Sequence, residues 1–163
     1  MHLLLKSAAI GMASLALMAT TPVLAQVQSN RLSKGPQTSL KQPHRIVIQV
    51  TQNDPAIMNT ALNNAENLTK YYEDKGEKIE IEFVAYGAGL HMMRSDTSPV
   101  KERLAALSGK MKNITFSGCG NTMGVQSKQE NKDITLVPEA RIVPAGIVRI
   151  LELQEQGWAY ARP

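Results

Sequence analysis

One cysteine occurs in the chain, and glycine stands on either side of it: Thr115-Phe-Ser-Gly-Cys119-Gly-Asn-Thr-Met-Gly124. A solitary cysteine cannot form a disulfide within its own chain. It is either a small packing residue or a thiol kept free for chemistry. The surrounding pattern predicts a strand over Asn113–Ser117, a turn at Gly118-Cys119-Gly120, and a helix from Asn121 or Thr122 to about Lys128. Unpaired amides at a helix start favour negative charge, so a thiol there ionises more readily than a free one. The flanking glycines are expected to let the chain turn sharply and to leave the sulfur uncovered. A nucleophile or a sulfur carrier needs that setting, with Gly118, Gly120, Asn121 and Thr122 as its binding surround.

Two further segments are expected at the same end of the sheet. Asn53 follows the first strand and is a candidate binding residue. Gly87-Ala-Gly-Leu-His91-Met-Met93 follows the second, and its imidazole is placed to deprotonate a thiol or to hold an anion. Met92, Met93 and Met123 add soft sulfur, but no pair of ligand types has a metal-site spacing, so no metal and no cofactor is expected. There is no C-x-x-C pair, which excludes a thioredoxin-like dithiol. G-x-S-x-G, the P-loop and a strand-borne G-x-G-x-x-G are absent as well.

The elements that must position these residues are legible as an alternation. Arg45–Thr51 is a nearly continuous β-branched run, the mark of a strand buried on both faces. Asn53-Asp-Pro55 caps a helix with proline in its first turn. Ile57, Ala61, Ala65, Leu68 and Tyr72 form its apolar stripe, and Gly76 ends it. Lys78–Tyr86 is a second strand, and Leu90–Arg94 a short helical turn. Ser98-Pro99 caps a helix with Val100, Leu104 and Leu107 inward. Ala140–Val143 is a strand. Pro144 opens a helix expected to turn Ile147, Ile150, Leu151 and Leu153 inward, and Trp158–Arg162 closes the sheet. Strand and helix in alternation give a three-layer α/β fold: an open sheet of about five mostly parallel strands with helices on both faces.

The amino terminus reads as an export signal over residues 1–25. Lys6 precedes an apolar run, and Val23-Leu-Ala25 supplies small residues before a cleavage point. The run is too short to be a membrane span. A polar leader follows over 26–43, with Arg31, Lys34 and Lys41 and no acid. Residues 44–163 form one domain carrying equal numbers of acidic and basic residues, so the sequence pI near 9.3 comes from the signal and leader. That balance, without a basic stripe interleaved with aromatics, argues against nucleic acid as a partner. The chain is therefore expected in the periplasm, with no membrane span after cleavage.

Residues 44–163 resemble the DsrE/DsrF-like proteins, in the small single-domain branch. The resemblance rests on Arg45-Ile-Val-Ile-Gln-Val-Thr51, Gly87-Ala-Gly-Leu-His-Met-Met93, Ser117-Gly-Cys-Gly-Asn-Thr-Met123 and the closing Val143-Pro-Ala-Gly to Gly157-Trp-Ala-Tyr160. It implies a five-stranded α/β fold and homo-oligomers, commonly trimers or hexamers. It also implies that Cys119 stands where some members carry sulfur as a persulfide, received from a donor and passed to an acceptor protein. The expected function is thus periplasmic sulfur handling through Cys119, assisted by His91. The other reading is a non-catalytic oligomer that binds a small anion or a partner, with Cys119 as pocket lining.

Overall fold

The computed structural model describes residues 42–163; the expected signal peptide, and the expected leader up to residue 41, lie outside the described residues. Five strands alternate with helices: β1 His44–Val50, α1 Pro55–Asp74, β2 Ile79–Ala85, a 3-10 segment Gly87–Met92, α2 Lys101–Lys110, β3 Ile114–Cys119, α3 Gly120–Glu130, β4 Ala140–Val143, α4 Gly146–Glu155 and β5 Ala159–Ala161. All strand pairings are parallel, in the order β4-β3-β2-β1-β5. The α/β sheet expected from the sequence is what forms.

Local signals start and stop these elements. Asp54 caps α1, its carboxylate accepting the amides of Ala56 at 2.7 Å and Ile57 at 3.4 Å. The helix ends before Gly76, whose φ of 68° is a left-handed conformation that glycine adopts without a Cβ penalty. Its buried stripe is Met58, Ala61, Leu62, Ala65 and Thr69, a rotation from the expected set that leaves Ile57, Leu68 and Tyr72 half-buried. Ser98 does not cap α2 directly. It donates to the Met92 carbonyl and accepts the Val100 amide, and the helix begins at Lys101.

The chain runs β1, β2, β3, β4 across the sheet in one direction, then returns to place β5 beyond β1. Right-handed crossovers send the returning helix over the opposite face. Side chains of β1, β2 and β3 that face α1 and α2 form one core with Ile48, Phe83 and Phe116 at its centre. Val47, Val84, Ile150 and Leu153 form a smaller core under α4. Because α3 leaves β3 toward the 3-10 segment and α4 leaves β4 toward the other face, the strand order switches at the carboxyl ends of β3 and β4. Crevices at such points are where open α/β sheets bind ligands.

The helix after Pro144 departs from expectation in one respect. Ile150 and Leu153 turn inward, but Ile147 and Leu151 stand exposed. Periodicity identifies an apolar helix; it cannot tell which of two apolar stripes meets the sheet.

Candidate functional site

Cys119 is the last residue of β3 and the N-cap of α3. The strand passes straight into the helix, so the expected turn at Gly118-Cys119-Gly120 does not exist, and neither glycine has a positive φ. Their role is proximity. A Cβ on Gly118 would lie 2.6 Å from Leu136 Cδ1, and one on Gly120 would lie 3.2 Å from Ile142 Cγ2. The glycines therefore draw neighbours in rather than expose the sulfur, and Cys119 is 5 % exposed. The expectation of an uncovered thiol is corrected on this point.

Alternation along β3 places Cys119 and Ser117 on the α4 side of the sheet, and Phe116 and Gly118 on the other. The sulfur accepts the Thr122 amide at 3.4 Å, the capping bond of α3. Neither Asn121 nor Thr122 is the cap. Burial alone would push the Cys119 thiol up. The Thr122 amide bond, with the Thr122 side chain and the Gly146 amide nearby, outweighs it, and the net direction is down. The Asn121 amide also faces the sulfur, but it donates to the Pro144 carbonyl at 3.1 Å. Gly146 is the first residue of α4, so two helix starts converge on one sulfur. Gly146 can stand there because it has no side chain: a Cβ would lie 2.7 Å from the Tyr86 ring.

Thr122 links the thiol to open space. Its hydroxyl accepts the Gly87 amide at 3.1 Å, at the edge of the 3-10 segment. Gln126 donates to the Gly87 carbonyl at 3.2 Å, fixing the 3-10 segment to α3. Between these elements lies a cleft of about 480 Å³ walled by Gly87, His91, Asn121, Thr122, Gln126 and Glu130, among others. His91 lines this cleft with its Nδ1 2.7 Å from the Thr97 hydroxyl, and it makes no hydrogen bond to Cys119. The structure thus gathers Cys119, Gly118, Gly120, Asn121, Thr122 and His91 at one end of the sheet. Asn53 is exposed beyond β1, two strands away, and is not part of the cleft.

Two charged clusters flank the site, and neither was recognised from the sequence. On the α4 side, Glu82 is 2 % exposed. Its carboxylate receives Arg149 Nε and Nη2 at 2.8 Å each, Arg141 at 2.9 Å and the Ser117 hydroxyl at 2.7 Å. Burial would raise this carboxyl, but those donors hold it below the usual range. The bidentate pair ties the first turn of α4 to β2, and so helps to locate the Gly146 amide. The signal was the glutamate pair in Ile79-Glu-Ile-Glu-Phe83, because a central parallel strand must bury one of them. On the cleft side, Arg94 is fully buried and grips Asp96, Gln126 and Glu130. Glu130 is thereby held down to about 2, chiefly by the Arg94 guanidinium and then by Lys132. Among the described residues no three His, Cys, Asp or Glu side chains are grouped so as to share a metal ion. No helix among them is long and apolar enough to cross a membrane.

No family model matches this chain, and no curated protein does. Among solved structures, it is similar to a protein of unknown function from Methanobacterium thermoautotrophicum, MTH1491, with a TM-score of 0.63 and 28% sequence identity. The likeness covers 74% of this chain and 99% of that one.

Proposed function

We propose that this is a DsrE/DsrF-like sulfur-handling protein of the periplasm, with Cys119 as the sulfur carrier. The observation that supports the reading most is the convergence of the α3 and α4 starts on one sulfur at the switch point of the sheet. Amides arranged in this way stabilise a thiolate, and the field of the helix starts also favours the negative charge of a persulfide's outer sulfur. The thiolate attacks the outer sulfur of a sulfane donor such as thiosulfate or a polysulfide. The donor S–S bond breaks, and its electron pair leaves with sulfite or the shortened polysulfide. Cys119 then holds an extra sulfur as a persulfide. An acceptor thiolate attacks that outer sulfur and restores the Cys119 thiolate, so no external oxidant or reductant is consumed. The cleft beside Thr122 is the room for donor and acceptor, and His91 stands in it to bind an anionic group. The protein works as a homo-oligomer, and the export signal at residues 1–25 delivers it.

A different reading is favoured by one observation, the burial of the sulfur. There the cleft binds a small anion or a partner without chemistry, and Cys119, which is not among the residues that wall it, is a packing residue behind Thr122. Incubation with thiosulfate or polysulfide followed by intact mass measurement separates the two. Sulfur carriage predicts an added mass of about 32 Da, one sulfur atom, that is absent in Cys119→Ser. No adduct on the native protein, together with measurable anion binding, selects the second reading.

A further inference from the structure

Alternation along β2 and just past its end turns Glu82, Val84 and Tyr86 toward the face of the sheet that α4 covers. Each meets that helix. Glu82 holds Arg149, and Val84 packs with Ile150 and Leu153. Tyr86 backs the first residue of α4: a Cβ on Gly146 would lie 2.7 Å from its ring Cδ1 and 3.0 Å from its Cβ and Cγ. Only glycine lets the helix start rest directly on the ring.

On its other side, Gly146 faces Cys119. The sheet pairs Cys119 with Val143, shortly before α4 begins. The Asn121 amide donates to the Pro144 carbonyl at 3.1 Å, which ties the start of α3 to the approach to α4. Ala145 offers no capping side chain, so the first amides of α4 receive no partner from a cap. What presses on Gly146 from behind therefore decides where its amide stands. The Tyr86 ring is held at both ends. Its backbone amide donates to the Val50 carbonyl at 3.2 Å, and its carbonyl accepts the Gly89 amide at 3.1 Å. Its hydroxyl accepts the Gln49 side-chain amide at 2.6 Å, and the Gln49 side-chain carbonyl accepts the Tyr160 hydroxyl. A row of polar side chains thus runs from edge strand β5, across β1, to the ring behind Gly146.

We propose that Tyr86 is a positioning residue for Cys119: its ring is the wall that sets the α4 start against the sulfur, and Gln49 and Tyr160 lock that wall in place. The inference rests on the reading of Cys119 as an ionised thiol. Tyr86 makes no hydrogen bond to the sulfur and acts through Gly146, because a hydrogen bond weakens steeply once its donor moves off line or away.

Ultraviolet titration of the Cys119 thiolate in the purified protein tests this, with Cys119→Ser in each background as the blank. Tyr86→Leu removes the wall and is expected to raise the midpoint by about half a unit to one unit, a share of one hydrogen bond to an anion. Tyr86→Phe keeps the ring and loses the lock, so its midpoint falls between those of the native protein and Tyr86→Leu. Val84→Ala, in the same core, lowers the melting temperature without moving the midpoint. Gly146→Ala raises the midpoint too, and joined to Tyr86→Leu it gives less than the sum of the two shifts, since both act on one contact. A native midpoint at or above the free-thiol value of about 8.5 overturns the ionised thiol and this inference together. A lowered native midpoint that Tyr86→Leu leaves in place, shifts that add, or an equal shift in Val84→Ala overturns the role of Tyr86 while the thiol reading stands. Where Tyr86→Leu does not fold, an unmoved midpoint in Tyr86→Phe is the overturning result.

Discussion

The amide of Thr122 donates to the Cys119 sulfur across the first turn of α3, and the hydroxyl of the same residue accepts the Gly87 amide while its side chain lowers the thiol pKa. One side chain therefore ties the thiol, the helix start and the cleft together. Thr122→Val removes the hydroxyl and keeps the amide and the shape. The thiol pKa is expected to rise, so the thiolate fraction at neutral pH falls. Loss of one hydrogen bond of about 1 kcal/mol slows alkylation near pH 7 roughly fivefold. The readout is the pH–rate profile: its midpoint moves up, while the plateau at high pH stays. An unmoved midpoint removes the hydroxyl from the account.

Gly89 and Gly124 respond to alanine in opposite ways. A Cβ on Gly89 would lie 2.2 Å from the Val50 carbonyl oxygen, and backbone in the middle of a sheet cannot yield. Gly89→Ala is expected to destabilise by several kcal/mol, of the order seen for overpacked cores or more. Gly124 lies in α3 with nothing near its virtual Cβ. Gly124→Ala is expected to stabilise by about 0.5–1 kcal/mol through helix propensity. Urea denaturation of the two variants gives opposite signs if the packing is as described.

Glu82 is a carboxyl that the folded state holds below its ordinary value. Burial opposes this, and Arg149, Ser117 and Arg141 prevail. A lowered carboxyl contributes stability that is complete above the unfolded value and is lost as pH falls through the folded one. Melting temperature is thus expected to be flat from neutral pH to about pH 5 and to drop below about pH 4. Glu130, held down to about 2, extends that loss to lower pH. Glu82→Gln should flatten part of the acid limb, and it should lower neutral stability by about 3 kcal/mol because two guanidinium groups lose their shared anion. An acid limb identical to the native one in Glu82→Gln contradicts the assignment.

Arg94 holds the far half of α3. Its guanidinium is fully buried and reaches Gln126 and Glu130 on that helix and Asp96 below it. Arg94→Met keeps the volume and leaves those partners without their cation, at a cost of about 3 kcal/mol. Hydrogen exchange should show the loss concentrated in residues 120–130. Uniform loss across the sheet would show that Arg94 supports the core instead.

Much of the fold was legible in the sequence because strands and helices differ in period. Arg45–Thr51 read as a buried strand and Lys78–Tyr86 as one partly exposed at its start, and the strand–helix alternation gave a mostly parallel sheet. The site was legible only in outline. Cys119 stood out by its rarity and its glycines, but those glycines act through packing against Leu136 and Ile142, which are distant in sequence. The Gly146 amide and the Glu82–Arg149 pair come from other strands and helices, and local pattern carries no trace of such pairings. Ile147 and Leu151 were assigned inward because two apolar stripes on one helix look alike before the sheet is in place.

The most direct measurement is a titration of the Cys119 thiolate by its ultraviolet absorbance in the native protein, with Cys119→Ser as the blank. This method requires no reagent to reach a buried sulfur. The account predicts a midpoint below the free-thiol value of about 8.5. A midpoint at or above that value would show that burial prevails over the two helix starts, and Cys119 would then be a packing residue.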